Sequence, residues 1–472
     1  MKRNMDGGNM NKKIAMYLFG FCLLLIAGFT WIHSTKKETL NEEKKEESKF
    51  KNITATVLAT TDNEITVQDD QNIIYTFSAK NISSDIGSSI IIEYSGILDK
   101  SKEFQESDIV SYIPSTQATD ENGIPMTWQD NGIFSKYYIL ANNKLKTMSL
   151  DEKIGQLFLE RYPDTNAKED LQKYQFGGYL FFAKDFKDKT EKQVQDMMRE
   201  LQEVSKIPLL TAVDEEGGTV VRVSSNPNLV SSPFKSSQEL YKLGGFDMIR
   251  EDTITKSKVL SNLGINLNLA PVVDVSTNSN DYMYNRSLGQ NTELTSTFAK
   301  TVIEASKGND VSYTLKHFPG YGNNSDTHQE NAIDNRTLED IVKNDLPPFE
   351  AGIKAGAEAV LVSHNTVTNI DSNNPASLSP SVHNLLRNDL DFTGIIITDD
   401  LAMGAVSSIP GATVKAIQAG NDLIIITDYK SGIQSVKDAI NNGTLSEEQI
   451  NKLAFRILAW KYYKGLMYEN SK

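Results

Sequence analysis

The stretch SYTLKHFPGYGNNSDTHQE, residues 312–330, contains a core strand and the densest group of polar side chains in the chain. It begins with a pattern typical of a buried strand and continues through Lys316 and His317 into a loop rich in glycine and proline. The loop then reaches Asp326 and His328. A surface loop does not need a lysine, two histidines and an aspartate for packing, so this strand end is a candidate functional site.

The same pattern, a short apolar strand followed by a polar loop and a helix-length segment, recurs along the chain. Eight strands are predicted: IGQLFLER (154–161), GGYLFF (177–182), PLLTAVD (208–214), INLNLAP (265–271), SYTLKHF (312–318), AVLVSHN (359–365), GIIITDD (394–400) and DLIIITD (422–428). Near-continuous apolar strands that alternate with helices indicate a parallel sheet covered on both faces. Eight units in about 310 residues predict an α/β fold, a (β/α)8 TIM barrel, with a doubly wound open sheet as the alternative.

Polar side chains lie at the ends of these strands or just after them. They are Asp214, Asp274, Lys316, His317, His364, Asp399 and Asp400. In a (β/α)8 barrel the carboxyl ends of the strands meet at one rim, where active sites are found. One such residue alone would be an ordinary loop or cap residue. Seven at one rim, beside the loop with Asp326 and His328, predict a functional site.

Composition restricts the classes of function. The 472 residues have a net charge of -14, without the basic footprint that nucleic-acid-binding proteins need, so we expect no nucleic-acid partner. The single cysteine, Cys22, excludes an intrachain disulfide and a cysteine-based metal site. His317, His328 and His364 lack the spacing of a zinc motif, so we expect no metal and no other cofactor. No particular oligomeric state is predicted.

The N-terminus, residues 1–35, is predicted to be a membrane anchor. Residues 14–32 are 19 consecutive residues without a charge, which at about 1.5 Å per residue just span a bilayer core of about 30 Å. Four basic residues precede them, and this flank places the N-terminus in the cytoplasm and the rest of the chain outside. We therefore expect a single-pass protein of the cell membrane. A cleaved signal peptide, which would give a secreted protein, is the alternative.

Three further regions separate this segment from the barrel. Residues 36–51 are densely charged and predict a solvated stalk. Residues 52–115 contain short strands about ten residues apart, which predicts a small all-β domain, an antiparallel barrel or roll. Its role as a spacer, a wall-binding module or a protein contact is left open. Residues 116–134 are predicted to be a linker, and the barrel domain comprises residues 135–472.

Residues 148–465 resemble the glycoside hydrolases of family 3, specifically the β-N-acetylglucosaminidase branch that trims cell-wall fragments. The matching segments are MSLDEKIGQLF, FGGYLFF, AVDEEGGTVVR, NLAPVVDV, NRSLG, KHFPGYG, DTH, LVSH, PASLSP and GIIITDDLAMGAV, and several agree in order and spacing. The resemblance implies a glycoside hydrolase built on a single (β/α)8 barrel.

The resemblance also implies roles for individual residues. The family's nucleophile falls on Asp399, and its general acid/base falls on His328, oriented by Asp326. The substrate-binding positions fall on Asp214, Arg222, Arg286, Lys316 and His317, with Met403 as an apolar neighbour. The chain departs from the family's pattern at Tyr321, where a second histidine is usual, and at Asn323, where an aspartate is usual. The loop before the Asp-Thr-His segment also looks one residue shorter.

The implied activity is that of a retaining exo-β-N-acetylglucosaminidase, which removes terminal GlcNAc from peptidoglycan, muropeptides or related glycans through a covalent glycosyl-enzyme intermediate. The residue types suit this chemistry, since a strand-end carboxylate is rigidly placed and a histidine with a pKa near 6.5 can donate and accept a proton near neutral pH. Three alternatives stay open. They are a β-glucosidase or β-xylosidase of the family, a glycoside phosphorylase of the family, and an inactive barrel that binds wall glycans.

Overall fold

The computed structural model describes residues 50–61, 64–69, 73–78, 89–95, 98, 102, 104–105, 109–114, 119–322 and 332–468. The described residues form two compact units, which meet in sequence between Thr127 and Trp128. The predicted anchor at residues 14–32, most of the predicted stalk, and both Asp326 and His328 lie outside the described residues. Within the described ranges, no helix is both long enough and apolar enough to cross a bilayer.

The N-terminal unit contains one six-stranded sheet. Its strands are β1 (Phe50–Thr60), β2 (Glu64–Asp69), β3 (Ile74–Ser78), β4 (Ser89–Ser95), β5 (Phe104–Gln105) and β6 (Ile109–Pro114), in the order β5-β3-β2-β1-β4-β6. All neighbours pair antiparallel except β3 and β5, which pair parallel. Alternation along β2 buries Ile65 and Val67 in an apolar cluster with Val57, Phe77 and Ile92. The prediction of a small all-β domain is confirmed.

The second unit is built on eight parallel strands. Strands β7 to β16 are Phe158–Arg161, Gly178–Phe181, Leu210–Val213, Leu267–Asn268, Ser312–Phe318, Ile333–Asp334, Ala359–Val362, Thr366–Val367, Ile395–Thr398 and Ile424–Ile426, of which β12 and β14 form a separate parallel pair. The other eight follow the order β15-β13-β11-β10-β9-β8-β7-β16. A parallel bridge between Ile397 and Leu423 brings β15 beside β16 and nearly closes the sheet. The predicted (β/α)8 barrel is confirmed as an almost closed eight-stranded barrel.

Fourteen α-helices are present in the described ranges of this unit. Helices α1 to α14 are Tyr138–Leu145, Leu150–Gln156, Ala167–Tyr174, Ala183–Phe186, Glu191–Val204, Ser237–Asn262, Thr292–Ser306, Leu338–Asn344, Leu346–Lys354, Pro380–Asn384, Gly404–Ser407, Ala412–Ala419, Tyr429–Asn441 and Glu447–Tyr463. Helix α5 shows why such segments cover the barrel. Val194, Met198 and Leu201 are its buried residues and repeat at helical spacing, so they form one apolar face.

Two predicted strands are shorter than expected. Residues 154–156 belong to helix α2 instead of the first strand, because Ser149 and Glu152 form a capping box that starts this helix. Strand β10 ends at Asn268, well before the predicted end at residue 271, where Pro271 has no N–H to donate to a ladder.

Residues 128–134, predicted as the end of the linker, pack within the barrel unit. The ring of Trp128 lies 5.5 Å from that of Phe455 on α14. Asp130 pairs with Arg456 of the same helix at 3.2 Å. These contacts extend the packing of the barrel unit seven residues ahead of the predicted boundary at residue 135.

Candidate active site

A pocket of about 760 Å³, counting the solvent at its mouth, opens at the carboxyl ends of the barrel strands. Its walls are Arg161, Leu180, Phe182, Asp214, Val220, Arg222, Leu269, Tyr282, Arg286, Lys316, His317, Leu361, Asp399, Asp400, Met403 and Ile425. The pocket brings together seven of the nine predicted site residues. The other two, Asp326 and His328, are outside the described residues.

Lys316 lies at the centre of the charged wall. This residue of β11 is 2% exposed, and its Nζ donates to Asp214 Oδ1 at 2.8 Å and pairs with Glu216 Oε1 at 2.7 Å. Burial would lower the pKa of Lys316, but the carboxylates of Asp214 and Glu216 outweigh it and hold the pKa above its usual range. The ammonium group is therefore charged near neutral pH and presents a fixed donor.

Glu216 joins two of the predicted binding residues. Arg286 donates to its two carboxylate oxygens at 3.0 and 2.6 Å, and Lys316 contacts it as well. Burial would raise the pKa of Glu216, but Arg286 and Lys316 hold it well below its usual range. Glu216 was missed in the sequence, although it directly follows a strand end in the segment AVDEEGGTVVR. The adjacent acid, Glu215, points elsewhere and accepts N–H bonds from Arg222 and Val223 at 2.8 and 2.6 Å, which shapes the loop around Arg222.

Asp274 fixes the imidazole of His317. Its Oδ2 lies 2.7 Å from Nδ1 of His317 and also accepts the main-chain N–H of that residue at 3.2 Å. The second carboxylate oxygen accepts the N–H of Tyr321 at 2.8 Å. With Nδ1 bound to Asp274, Nε2 of His317 is left on the side of Arg286, whose Nη2 is 3.4 Å away. Asp274 therefore orients a ring that lines the pocket.

Tyr321 stands where the family's pattern has a second histidine. Its side chain is 2% exposed and packs edge-on against His317, with 5.7 Å between ring centroids. On its other side lies Tyr282, with the ring centroids 5.8 Å apart. Tyr282 is 38% exposed and lines the pocket, so the two tyrosines form an aromatic edge of the site.

Asp399 follows β15 and faces the pocket. Its own N–H donates to the carbonyl of Val362 at 2.9 Å, which holds the main chain, and its Oδ1 accepts the N–H of Asp400 at 2.8 Å. Burial would raise the pKa of Asp399, but His364, His317, the N–H of Asp400 and Lys316 together hold it below its usual range. Within the part of the chain that the structure describes, Oδ2 has no hydrogen-bond partner. The group is an ionised carboxylate with one uncommitted oxygen.

His364, expected at the rim, does not line the pocket. It is buried, its Nδ1 lies 2.7 Å from Ser377 Oγ, and its Nε2 donates to the carbonyl of Asp400 at 2.9 Å. The side chain therefore supports the main chain just after Asp399. No set of three or more histidine, cysteine, aspartate or glutamate side chains in the described ranges is placed to hold a metal ion.

A family model described as "Glycosyl hydrolase family 3 N terminal domain" matches residues 149–460, about two thirds of the chain. The chain belongs to glycosyl hydrolase family 3. This agrees closely with the range of residues 148–465 over which the sequence resembles that family, so the predicted family and the predicted class of glycoside hydrolase are confirmed.

Family 3 relatives with curated names support the same branch. Proteins named Beta-hexosaminidase are 31% identical over 264 residues in Xylella fastidiosa (strain 9a5c), covering 54% of this chain and 77% of the relative. In Xanthomonas campestris pv. campestris (strain B100) the identity is 29% over 298 residues, covering 61% of this chain and 88% of the relative.

Solved family 3 structures share the fold. One is a glycoside hydrolase family 3 beta-N-acetylglucosaminidase from Paenibacillus sp., with a TM-score of 0.64 and 29% identity over 69% of this chain. The match covers 64% of that chain, slightly under two thirds of its length. A family member from Mycobacterium smegmatis has a TM-score of 0.60 and 27% identity, covering 67% of this chain and 98% of the other.

Proposed function

We propose that this protein is a retaining exo-β-N-acetylglucosaminidase. The observation that carries the proposal is Asp399, an ionised carboxylate with one uncommitted oxygen, held at a strand end inside a pocket lined by hydroxyl-binding groups. The names of the family 3 relatives point to a β-linked N-acetylhexosamine as the sugar removed.

In this mechanism Asp399 is the nucleophile and His328 the proton donor. The carboxylate attacks the anomeric carbon of the terminal sugar while His328 protonates the departing glycosidic oxygen, so a glycosyl ester forms as the glycosidic bond breaks. His328 then removes a proton from water, which attacks the ester and regenerates Asp399. Asp326 would fix the tautomer of His328 and stabilise its charged form, as an aspartate does in a catalytic triad.

The remaining predicted residues bind the sugar in this proposal. Lys316, Arg222 and Arg286 offer donors to hydroxyl or carbonyl oxygens, Asp214 offers an acceptor, and His317 offers Nε2. Met403 is the apolar neighbour in the same wall. Leu180, Leu269, Leu361 and Ile425 contribute the apolar part of the lining. A pocket at the top of a filled barrel accommodates a chain end better than a chain interior, which favours exo action.

The place of action is proposed to be the outer face of the cell membrane. Residues 14–32 would anchor the chain with the barrel outside, within reach of peptidoglycan or muropeptides. Protease added to intact protoplasts should then remove the catalytic unit and leave a membrane-bound stub. A soluble enzyme in the medium that begins near residue 33 would instead identify a cleaved signal peptide. A barrel protected from protease in intact cells would contradict this topology.

The activity is tested with a set of aryl β-glycosides and the purified protein. Turnover of the β-GlcNAc compound should exceed that of the β-glucoside and β-xyloside, and the first product seen by NMR should have the β configuration. Faster turnover of the glucoside or xyloside would overturn the sugar assignment. Formation of a sugar 1-phosphate when phosphate is added would identify a phosphorylase instead. Mass spectrometry of products from purified muropeptides then identifies the natural glycan.

A further inference from the structure

Two guanidinium groups meet on one aromatic ring in the wall of the pocket. Cζ of Arg161 lies 5.1 Å from the ring centroid of Phe182, and Cζ of Arg222 lies 5.4 Å from the same centroid. Arg161 is the last residue of β7, and Phe182 directly follows β8, so neighbouring strands fix both. All three side chains line the pocket that contains Asp399.

The hydrogen-bond donors of these two arginines are largely unused. Arg161 pairs through Nε with Asp400, and its two Nη groups have no hydrogen-bond partner among the described residues. Arg222 reaches Asp214 only at 3.6 Å, and its buried Nε has no partner within the described ranges. Arg286, in contrast, is committed to Glu216 through two hydrogen bonds. Donors therefore exceed acceptors on the Phe182 side of the pocket.

The charges of the lining agree with this imbalance. Four permanent cations line the pocket, and the three carboxylates there are Asp214, Asp399 and Asp400. The chain as a whole has a net charge of -14, so cations are concentrated at this site against the general trend. A neutral sugar needs hydroxyl partners but does not need two arginines with open donors, whereas a planar carboxylate matches guanidinium groups in shape and charge.

We infer that Arg161 and Arg222, held against Phe182, form a subsite for a carboxylate of the glycan substrate. The inference rests on the proposed function and narrows its substrate class to glycans that contain an acidic sugar. The carboxylate has two possible sources. It belongs either to an ether-linked lactyl group on the sugar beyond the cleaved bond or to a uronic acid at the cleaved position. Arg161 is a specificity residue here, because it contacts the substrate's substituent and not the reacting bond.

The first test needs only the wild-type protein and matched substrates. One disaccharide has GlcNAc β-1,4-linked to GlcNAc, the second has GlcNAc β-1,4-linked to N-acetylmuramic acid, and the third is the methyl ester of the second. The second should have the highest kcat/KM, by about tenfold or more as for a charge-assisted hydrogen bond, and the ester should behave like the neutral compound. An aryl β-glucuronide tests the other source. The preference should weaken as salt increases, because screening reduces attraction between partly exposed charges.

The second test uses variants. Arg161→Gln should lower the ratio of kcat/KM for the acidic over the neutral substrate by about tenfold, and Arg161→Lys should recover part of that ratio. Lys184→Gln is the matched control, because Lys184 is exposed, pairs with Asp164 and does not line the pocket. That variant should leave the ratio unchanged.

The outcomes separate the two proposals. If the acid, its ester and the neutral disaccharide are cleaved alike and the glucuronide is inert, the carboxylate subsite is refuted while the glycosidase stands. An unchanged ratio in folded Arg161→Gln refutes it as well. If the wild-type protein cleaves no β-GlcNAc compound at all, the proposed function itself fails. Turnover of the muramic acid disaccharide or of the glucuronide that depends on Arg161 supports the subsite and identifies which sugar bears the carboxylate.

Discussion

The N–H of Asp400 donates to Oδ1 of Asp399 at 2.8 Å, so the two neighbouring carboxylates have different surroundings. Asp400 is buried, and its own oxygens are occupied by the N–H of Ala402 at 2.8 Å and by Arg161. Asp399 keeps Oδ2 without a partner among the described residues. Of two adjacent acids, only the first is placed to attack a substrate.

Replacing the proposed nucleophile should abolish turnover without unfolding the protein. For Asp399→Ala we expect kcat to fall by at least about 10³-fold, as for other residues that act directly on the reacting bond, with an unchanged circular dichroism spectrum. A 2-fluoro sugar with a good leaving group should label the wild-type protein at Asp399. Mass-spectrometric detection of the label on Asp400 would contradict the assignment.

Loss of the proposed acid should depend on the leaving group. His328→Ala should slow natural disaccharides by roughly 10²- to 10⁴-fold, the usual contribution of general acid–base catalysis. Aryl glycosides with acidic phenols should lose much less at the first step, because their leaving oxygen needs little protonation. Pre-steady-state release of the phenol measures that step directly. Equal losses on both kinds of substrate would remove the role of proton donor from His328.

Lys316 should be essential to the stability of the charged wall. Lys316→Met leaves Asp214 and Glu216 facing each other without their shared cation, and breaking a buried ion pair in this way costs about 3–5 kcal/mol. Urea unfolding at pH 7 measures the loss. Lys184→Met, at an exposed position, serves as the control and should change the free energy of unfolding little. A similar small change for both variants would argue against this role.

Glu160 predicts an unusual dependence of stability on pH. Burial, with Asp400, Asp170 and Asp428 nearby, raises the pKa of Glu160 to about 9. A folded pKa above the unfolded value means that the group favours folding most below about pH 4.5, and that this contribution declines as the pH rises towards 9. Glu160→Gln cannot ionise and should therefore gain stability relative to wild type over that range, by at least about 1 kcal/mol at pH 8.

Denaturant unfolding at pH 5 and pH 8 gives this comparison, with exposed Glu203→Gln as the control. The gain of Glu160→Gln should be larger at pH 8 than at pH 5. A gain that is the same at both pH values would show that Glu160 is ionised in the folded protein at pH 5 already.

The barrel and most of its rim could be predicted because they depend on local patterns. Eight apolar runs fixed the strands, and position at a strand end placed Asp214, Lys316, His317 and Asp399 in one pocket. Glu216 could not be separated from Glu215 by sequence, since only the folded loop shows which of the two meets Arg286. Partners far apart in sequence decide such cases.

Two other residues show the same limit. His364 satisfied the strand-end rule, yet Ser377 and the carbonyl of Asp400 hold it behind the pocket wall. Arg161 satisfied it as well and was missed, because its strand was judged by its apolar residues. Its importance comes from Phe182 and Asp400, which the fold brings beside it.

The barrel is joined least regularly where β15 meets β16. Within the described chain a single bridged pair, Ile397 with Leu423, links these strands, and the N–H of Ile425 donates to the side-chain hydroxyl of Thr398 at 3.0 Å instead of to a carbonyl. Regions with fewer main-chain bonds open more readily, so amide hydrogens along this junction should exchange with deuterium sooner than those between β8 and β9. Asp399 directly follows β15, and a sugar bound there would slow exchange at the weakest junction of the barrel first.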